Sequence, residues 1–112
     1  MNKLEKRAAF AQRIRAKTFT ALPGVFEMIS ARIADTMDFP GIYMTGYGAV
    51  ASHLGLPDAG LATYSDMVGR VSRIVENTST PLIADGDTGY GNAMNVKRTV
   101  KPYMDLDLTT WC

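Results

Sequence analysis

The sequence has one cysteine, one histidine and one tryptophan in 112 residues. The single cysteine, Cys112, rules out an internal disulfide, which agrees with a reducing, cytoplasmic setting. With one histidine and one cysteine, no zinc site of the Cys/His kind can be assembled. An excess of charge is also missing. Twelve Lys and Arg against eleven Asp and Glu leave +1, which argues against nucleic acid as a partner. No apolar run approaches the roughly 18 residues of a membrane span, and the charged start, Met1 to Lys17, has no apolar core of a signal peptide. The expectation is a cytoplasmic globular unit with no membrane or nucleic-acid partner.

What is present is a repeated pattern. Leu4, Ala8, Ala11 and Ile14 give helical spacing over Leu4 to Lys17, an end-cap or lid helix. Phe19 to Leu22 reads as a short strand ended by Pro23-Gly24, and Phe26, Ile29, Ile33 and Met37 form the stripe of a following helix. Gly41 to Thr45 is a second strand, with a short helix at Ala49 to Leu54. After a loop containing Pro57 and Gly60, Thr63 and Asp66 approximate a capping box for a helix to about Asn77. Pro81 to Ala84 is the third strand, and Asn92 to Tyr103 the next helix. Strand-then-helix units in series require parallel pairing, hence an α/β fold. A complete barrel takes about 250 residues and eight such units, so the expectation is the opening part of one, ending before closure. Residues 102–112 break the pattern and read as a non-native or disordered tail.

The segment with most chemical content is Asp85-Gly86-Asp87-Thr88-Gly89-Tyr90-Gly91-Asn92, directly after the third strand. In parallel α/β folds the strand C-termini carry the reactive groups. Two carboxylates two residues apart on an extended segment point the same way and repel unless a hard cation lies between them. Magnesium suits such oxygen ligands. The alternative is an ordinary Asp- and Gly-rich turn, with Asp87 capping the next helix. An EF-hand loop is excluded, because its fifth, sixth and twelfth positions would be Gly89, Tyr90 and Val96.

Tyr43-Met44-Thr45-Gly46-Tyr47-Gly48 ends the second strand with small residues that let backbone N–H groups approach an anion. Two other readings stay open there. One is a tight turn, and the other is a dinucleotide fingerprint, Gly46-x-Gly48-x-x-Ala51, with Asp66 as its acidic partner. His53 reads as a helix residue rather than a base, and Asp58 as a loop carboxylate.

Taken together, Leu22-Pro23-Gly24, Ser30-Ala31-Arg32, Ile42-Tyr43-Met44-Thr45-Gly46, Ser52-His53-Leu54-Gly55-Leu56-Pro57-Asp58 and the Asp85–Asn92 segment resemble the isocitrate lyase and phosphoenolpyruvate mutase superfamily. The likeness covers about residues 4–101 and leans towards its short, 2-methylisocitrate lyase-like members. The resemblance implies a (β/α)₈ barrel, commonly a homotetramer. It implies a Mg²⁺-dependent (Mn²⁺ as a substitute) carbon–carbon lyase acting through an enolate on a small 2-hydroxy or 2-oxo di- or tricarboxylate. Phosphonomutase and oxaloacetate decarboxylase chemistry are the alternatives on the same scaffold. Carried over, Asp85 and Asp87 are metal carboxylates, and Asp85 also faces the substrate. Thr45, Gly46 and Tyr47 grip its carboxylate. Tyr43, lining the pocket, and Asp58, supporting the metal's water shell, complete the catalytic set. The family's Lys-Lys-Cys-Gly loop, with its acid–base cysteine, does not occur in these residues, and Cys112 lacks those surroundings. The 112 residues by themselves are therefore expected to be catalytically silent.

Overall fold

A computed structural model of the chain describes residues 1–105 and 110–111. In chain order the elements are α1 (Lys3–Arg15), β1 (Gly24–Val25), α2 (Met28–Asp35), β2 (Ile42–Met44), α3 (Gly46–Leu54), α4 (Tyr64–Asn77), β3 (Leu82–Ala84), α5 (Ala93–Asp105) and β4 (Thr110–Trp111). The strands lie side by side in the order β1-β2-β3-β4, every pair parallel. A doubly wound sheet reverses its strand order, whereas this one steps in a single direction, as a (β/α)₈ barrel does. The α/β expectation is met: these are the opening β/α units of such a barrel.

The core lies between the sheet and its covering helices. Val25, Ile42, Met44, Leu82 and Ala84 from the strands meet Ala31 and Ala34 of α2 and Met67, Val71 and Ile74 of α4, all buried. Burying a side chain of the larger kind contributes about 1.5–3 kcal/mol, so this interface is the main source of stability. The start of α4 follows its sequence signature. The Thr63 hydroxyl accepts from the Asp66 amide, and the Asp66 carboxylate accepts from the Thr63 amide at 2.8 Å.

Two sequence expectations about faces were wrong. In α2 the stripe residues Ile29 and Ile33, with Met37 just beyond the helix, are solvent-exposed at 73%, 58% and 58%, while the small Ala31 and Ala34 are buried. A helix can lie closer to a sheet on alanines than on isoleucines, and here that close fit prevails over the larger stripe. In α1, Leu4 and Ile14 are exposed and the buried anchor is Phe10. The stems of Lys3 and Lys6 lie along the protein, with Lys3 Nζ reaching the Val75 carbonyl and Lys6 Nζ the Ser79 hydroxyl.

The first strand also sits later than expected. Phe19 is 90% exposed, and the ladder begins where the Pro23 carbonyl accepts from the Tyr43 amide at 3.0 Å. Proline has no N–H to donate, so it fits the entry to a strand but not its middle. Phe10 packs on Gly41, just before β2, so α1 caps the N-terminal ends of the strands, opposite the end that carries Thr45 and Asp85.

Of the tail 102–112, residues 106–109 and 112 lie outside the described residues. Within the described part, α5 continues through Pro102 to Asp105, and Thr110–Trp111 pairs with Ile83–Ala84.

Candidate metal and carboxylate site

At the C-terminal ends of β2 and β3 the backbone amide of Asp85 donates to the Met44 carbonyl at 3.2 Å. This fixes the two loops that follow against each other. A small cavity of about 60 Å³ opens there, lined by Gly46, Asp58, Asp85, Asp87 and Tyr90 over an apolar floor of Val50, Ala62 and Met67. Three carboxylates from two separate loops thus meet around one space.

Asp85 is held from several sides. Its Oδ1 accepts from the Asp87 amide at 2.7 Å, and its Oδ2 accepts from the Tyr43 hydroxyl at a long 3.5 Å. A Cβ built on Gly46 would lie closer than 3.0 Å to Asp85 Oδ2, so a larger residue there would displace the carboxylate. Carboxylates two residues apart share a side only on an extended backbone. Instead Asp87 has φ 48°, and a turn rather than strand alternation brings the two carboxylates to one cavity. Asp87 does not cap α5. Asn92 does, its Oδ1 accepting from the amides of Met94 and Asn95 at 3.0 and 3.2 Å.

On the facing side, Thr45 occupies the N-cap position of α3 and makes no side-chain capping bond. The first-turn amides of that helix carry its positive dipole end. Thr45 is half-buried and Gly46 buried, while Tyr47 is 69% exposed; of the three, Gly46 lines the cavity. The dinucleotide alternative loses its acidic partner, because the Asp66 carboxylate is taken by the Thr63 amide and hydroxyl. A pyrophosphate on Gly46 would also face the Asp85 carboxylate. His53 is exposed, 3.9 Å from Asp66, and does not line the cavity.

The donor set is all oxygen, which suits a hard cation and disfavours zinc or copper. Among the described residues no three Asp, Glu, His or Cys side chains converge closely enough to cage an ion. A partly hydrated Mg²⁺ takes one or two carboxylates and keeps several waters. The residues fit such an ion.

Tyr90 was missed by sequence reasoning. It lines the cavity, its hydroxyl reaches the Asp85 carbonyl at 3.4 Å, and it meets the Tyr103 hydroxyl at 3.4 Å. Burial and the neighbouring Tyr103 raise its phenol far above the ordinary value, so it stays a proton donor at any working pH. Its only signal was its place between two glycines. Among the described residues no helix is long and apolar enough to cross a membrane.

Residues 10–111 match the family model described as phosphoenolpyruvate phosphomutase. The 2,3-dimethylmalate lyase of Eubacterium barkeri is 46% identical over 86% of this chain and 33% of its own length. The oxaloacetate decarboxylase of Ectopseudomonas mendocina is 42% identical over the same two shares. A crystal structure of phosphonopyruvate hydrolase with oxalate and Mg²⁺ superposes with a TM-score of 0.84 at 29% identity, covering 95% of this chain and 37% of that one. The chain spans about a third of the length of the curated relatives it matches. Sequence and fold agree over nearly all of these residues, and the chain belongs to the phosphoenolpyruvate phosphomutase family.

Proposed function

We propose that these residues form the metal- and carboxylate-binding part of a magnesium-dependent carbon–carbon lyase acting on a small 2-hydroxy or 2-oxo di- or tricarboxylate. The observation that carries this reading is the meeting of Asp58, Asp85 and Asp87 around one cavity beside the uncapped start of α3. Asp85 and Asp87 hold the ion, and Asp58 orders its water. A divalent cation, when bound, neutralises the negative charge that develops on the substrate oxygens as the carbon–carbon bond breaks towards an enolate.

The chain's own residues do the rest of the positioning. The amides of Gly46 and Tyr47, at the positive end of the α3 dipole, donate to a substrate carboxylate with no side-chain cap competing for them. Thr45 turns the backbone into that helix, and its hydroxyl faces no capping duty. Tyr43 does not line the cavity itself but donates to Asp85 from the β2 side. The resemblance assigns the general acid to a Lys-Lys-Cys-Gly loop that these 112 residues do not contain. Binding, rather than turnover, is therefore the activity expected of this chain.

Decarboxylation of oxaloacetate is the second reading, favoured by the 42% identity to an oxaloacetate decarboxylase. It would use the same enolate stabilisation and the same residues.

The test is a calorimetric titration of oxalate, a planar enolate mimic, into the chain with and without Mg²⁺. Oxalate binding that requires Mg²⁺ and disappears in Asp85→Ala supports the site. Binding that ignores both the metal and the substitution sinks it.

A further inference from the structure

The loop that carries Asp85 and Asp87 has an unfavourable backbone. Asp87, Gly89, Tyr90 and Gly91 have φ of 48°, 94°, 64° and 146°. For Asp87 and Tyr90, which have a Cβ, this left-handed conformation costs on the order of 1 kcal/mol each. A strained segment persists only when its surroundings over-determine it, and the surroundings here are one face of α5.

Val96, Thr99 and Tyr103 recur at three- and four-residue spacing and so share that face. Val96 stands where a Cβ on Gly89 would be, 2.6 Å from its Cγ2. The Thr99 hydroxyl, on a residue only 1% exposed, donates to the Gly89 carbonyl at 2.8 Å. Tyr103 meets Tyr90 at 3.4 Å. The Tyr90 hydroxyl reaches the Asp85 carbonyl at 3.4 Å and shares a hydrogen bond with the Tyr103 hydroxyl, so the two tyrosines together brace the Asp85 backbone. Thr99 holds the far end of the loop and the two tyrosines hold the near end, with both carboxylates between these anchors.

We infer that Thr99 is a positioning residue: its buried hydroxyl clamps the Gly89 carbonyl and so fixes Asp85 and Asp87 for the cation, an inference that rests on the metal reading above. Removing the hydroxyl leaves a buried carbonyl without its partner and lets the loop relax. Most of the core, between the sheet and α2 and α4, lies away from this bond.

The experiment compares the native chain with Thr99→Val and Thr99→Ser in two measurements. The first, free of metal, is amide hydrogen exchange. In Thr99→Val the Gly89 amide, which donates to the Gly86 carbonyl at 3.0 Å, should exchange on the order of tenfold faster. Val71 and Ile74 in the core should not change, and Thr99→Ser should restore the native rate at Gly89. The second is Mn²⁺ binding by calorimetry, which should weaken on the order of tenfold in Thr99→Val and recover in Thr99→Ser, as expected for a group that orients a ligand. Native exchange at Gly89 in Thr99→Val overturns the clamp, as does native Mn²⁺ affinity in that variant. A native chain that binds no Mn²⁺ overturns the metal reading instead, and the exchange comparison then judges the clamp by itself.

Discussion

Gly46 and Asp85 stand so close that a single added methyl on the glycine would overlap Oδ2 of the carboxylate. The glycine opens α3 and the aspartate follows β3, so this contact sets how near the helix dipole comes to the carboxylate. Because the overlapped atom is the end of a rotatable side chain, the fold can accommodate Gly46→Ala by turning Asp85 away. The expected outcome is a nearly unchanged melting temperature with Mg²⁺-dependent oxalate binding reduced at least about tenfold. Thermal unfolding and calorimetry on the same sample check both halves.

Asp35 Oδ1 accepts four bonds, from the amides of Ser79 and Thr80 at 3.0 and 2.8 Å and from their hydroxyls at 3.2 and 2.7 Å. Burial pushes its carboxyl up, but the bonds from Thr80 and Ser79 together outweigh that and hold it below the ordinary value of 3.8. A lowered folded value means that the stabilisation is fully present above the ordinary value and is lost as pH falls through the lowered one. Asp35→Asn should therefore cost about 1–3 kcal/mol at neutral pH. It should also flatten the loss of stability below about pH 4. Urea unfolding at pH 7 and at pH 3 measures both.

Gly41 faces the ring of Phe10, and a Cβ there would come within 3.0 Å of three ring atoms. Unlike Asp85, this ring is buried at 1% exposure and cannot swing into solvent. Gly41→Ala should destabilise the chain by about 1–3 kcal/mol through overpacking while leaving oxalate binding intact. Denaturant unfolding beside the same calorimetric titration separates this substitution from Gly46→Ala.

The order of strands and helices was legible because Pro23-Gly24, Gly46, Gly55 and the Thr63–Asp66 box punctuate the apolar runs. The faces were harder. Ile29, Ile33 and Met37 make the stronger periodic stripe, yet Ala31 and Ala34 are buried, because hydropathy does not record how closely a helix can approach a sheet. The motif around Asp85 and Asp87 was visible as acidic residues after a strand, but the turn that joins them was not. It depends on the positive φ of Asp87 and Tyr90, in a loop whose Gly89 carbonyl accepts from Thr99 of α5. Thr99 and Tyr103 carried no chemical signal of their own, since their role comes from meeting a loop that starts more than ten residues earlier.

Whether Asp85 and Asp87 hold a divalent cation is decided by Mn²⁺ electron paramagnetic resonance on the native chain, Asp85→Ala and Asp87→Ala. The native chain should remove the free-ion signal at one equivalent, and each substitution should restore most of it. Equal loss of signal in all three proteins, or in none, would contradict that role.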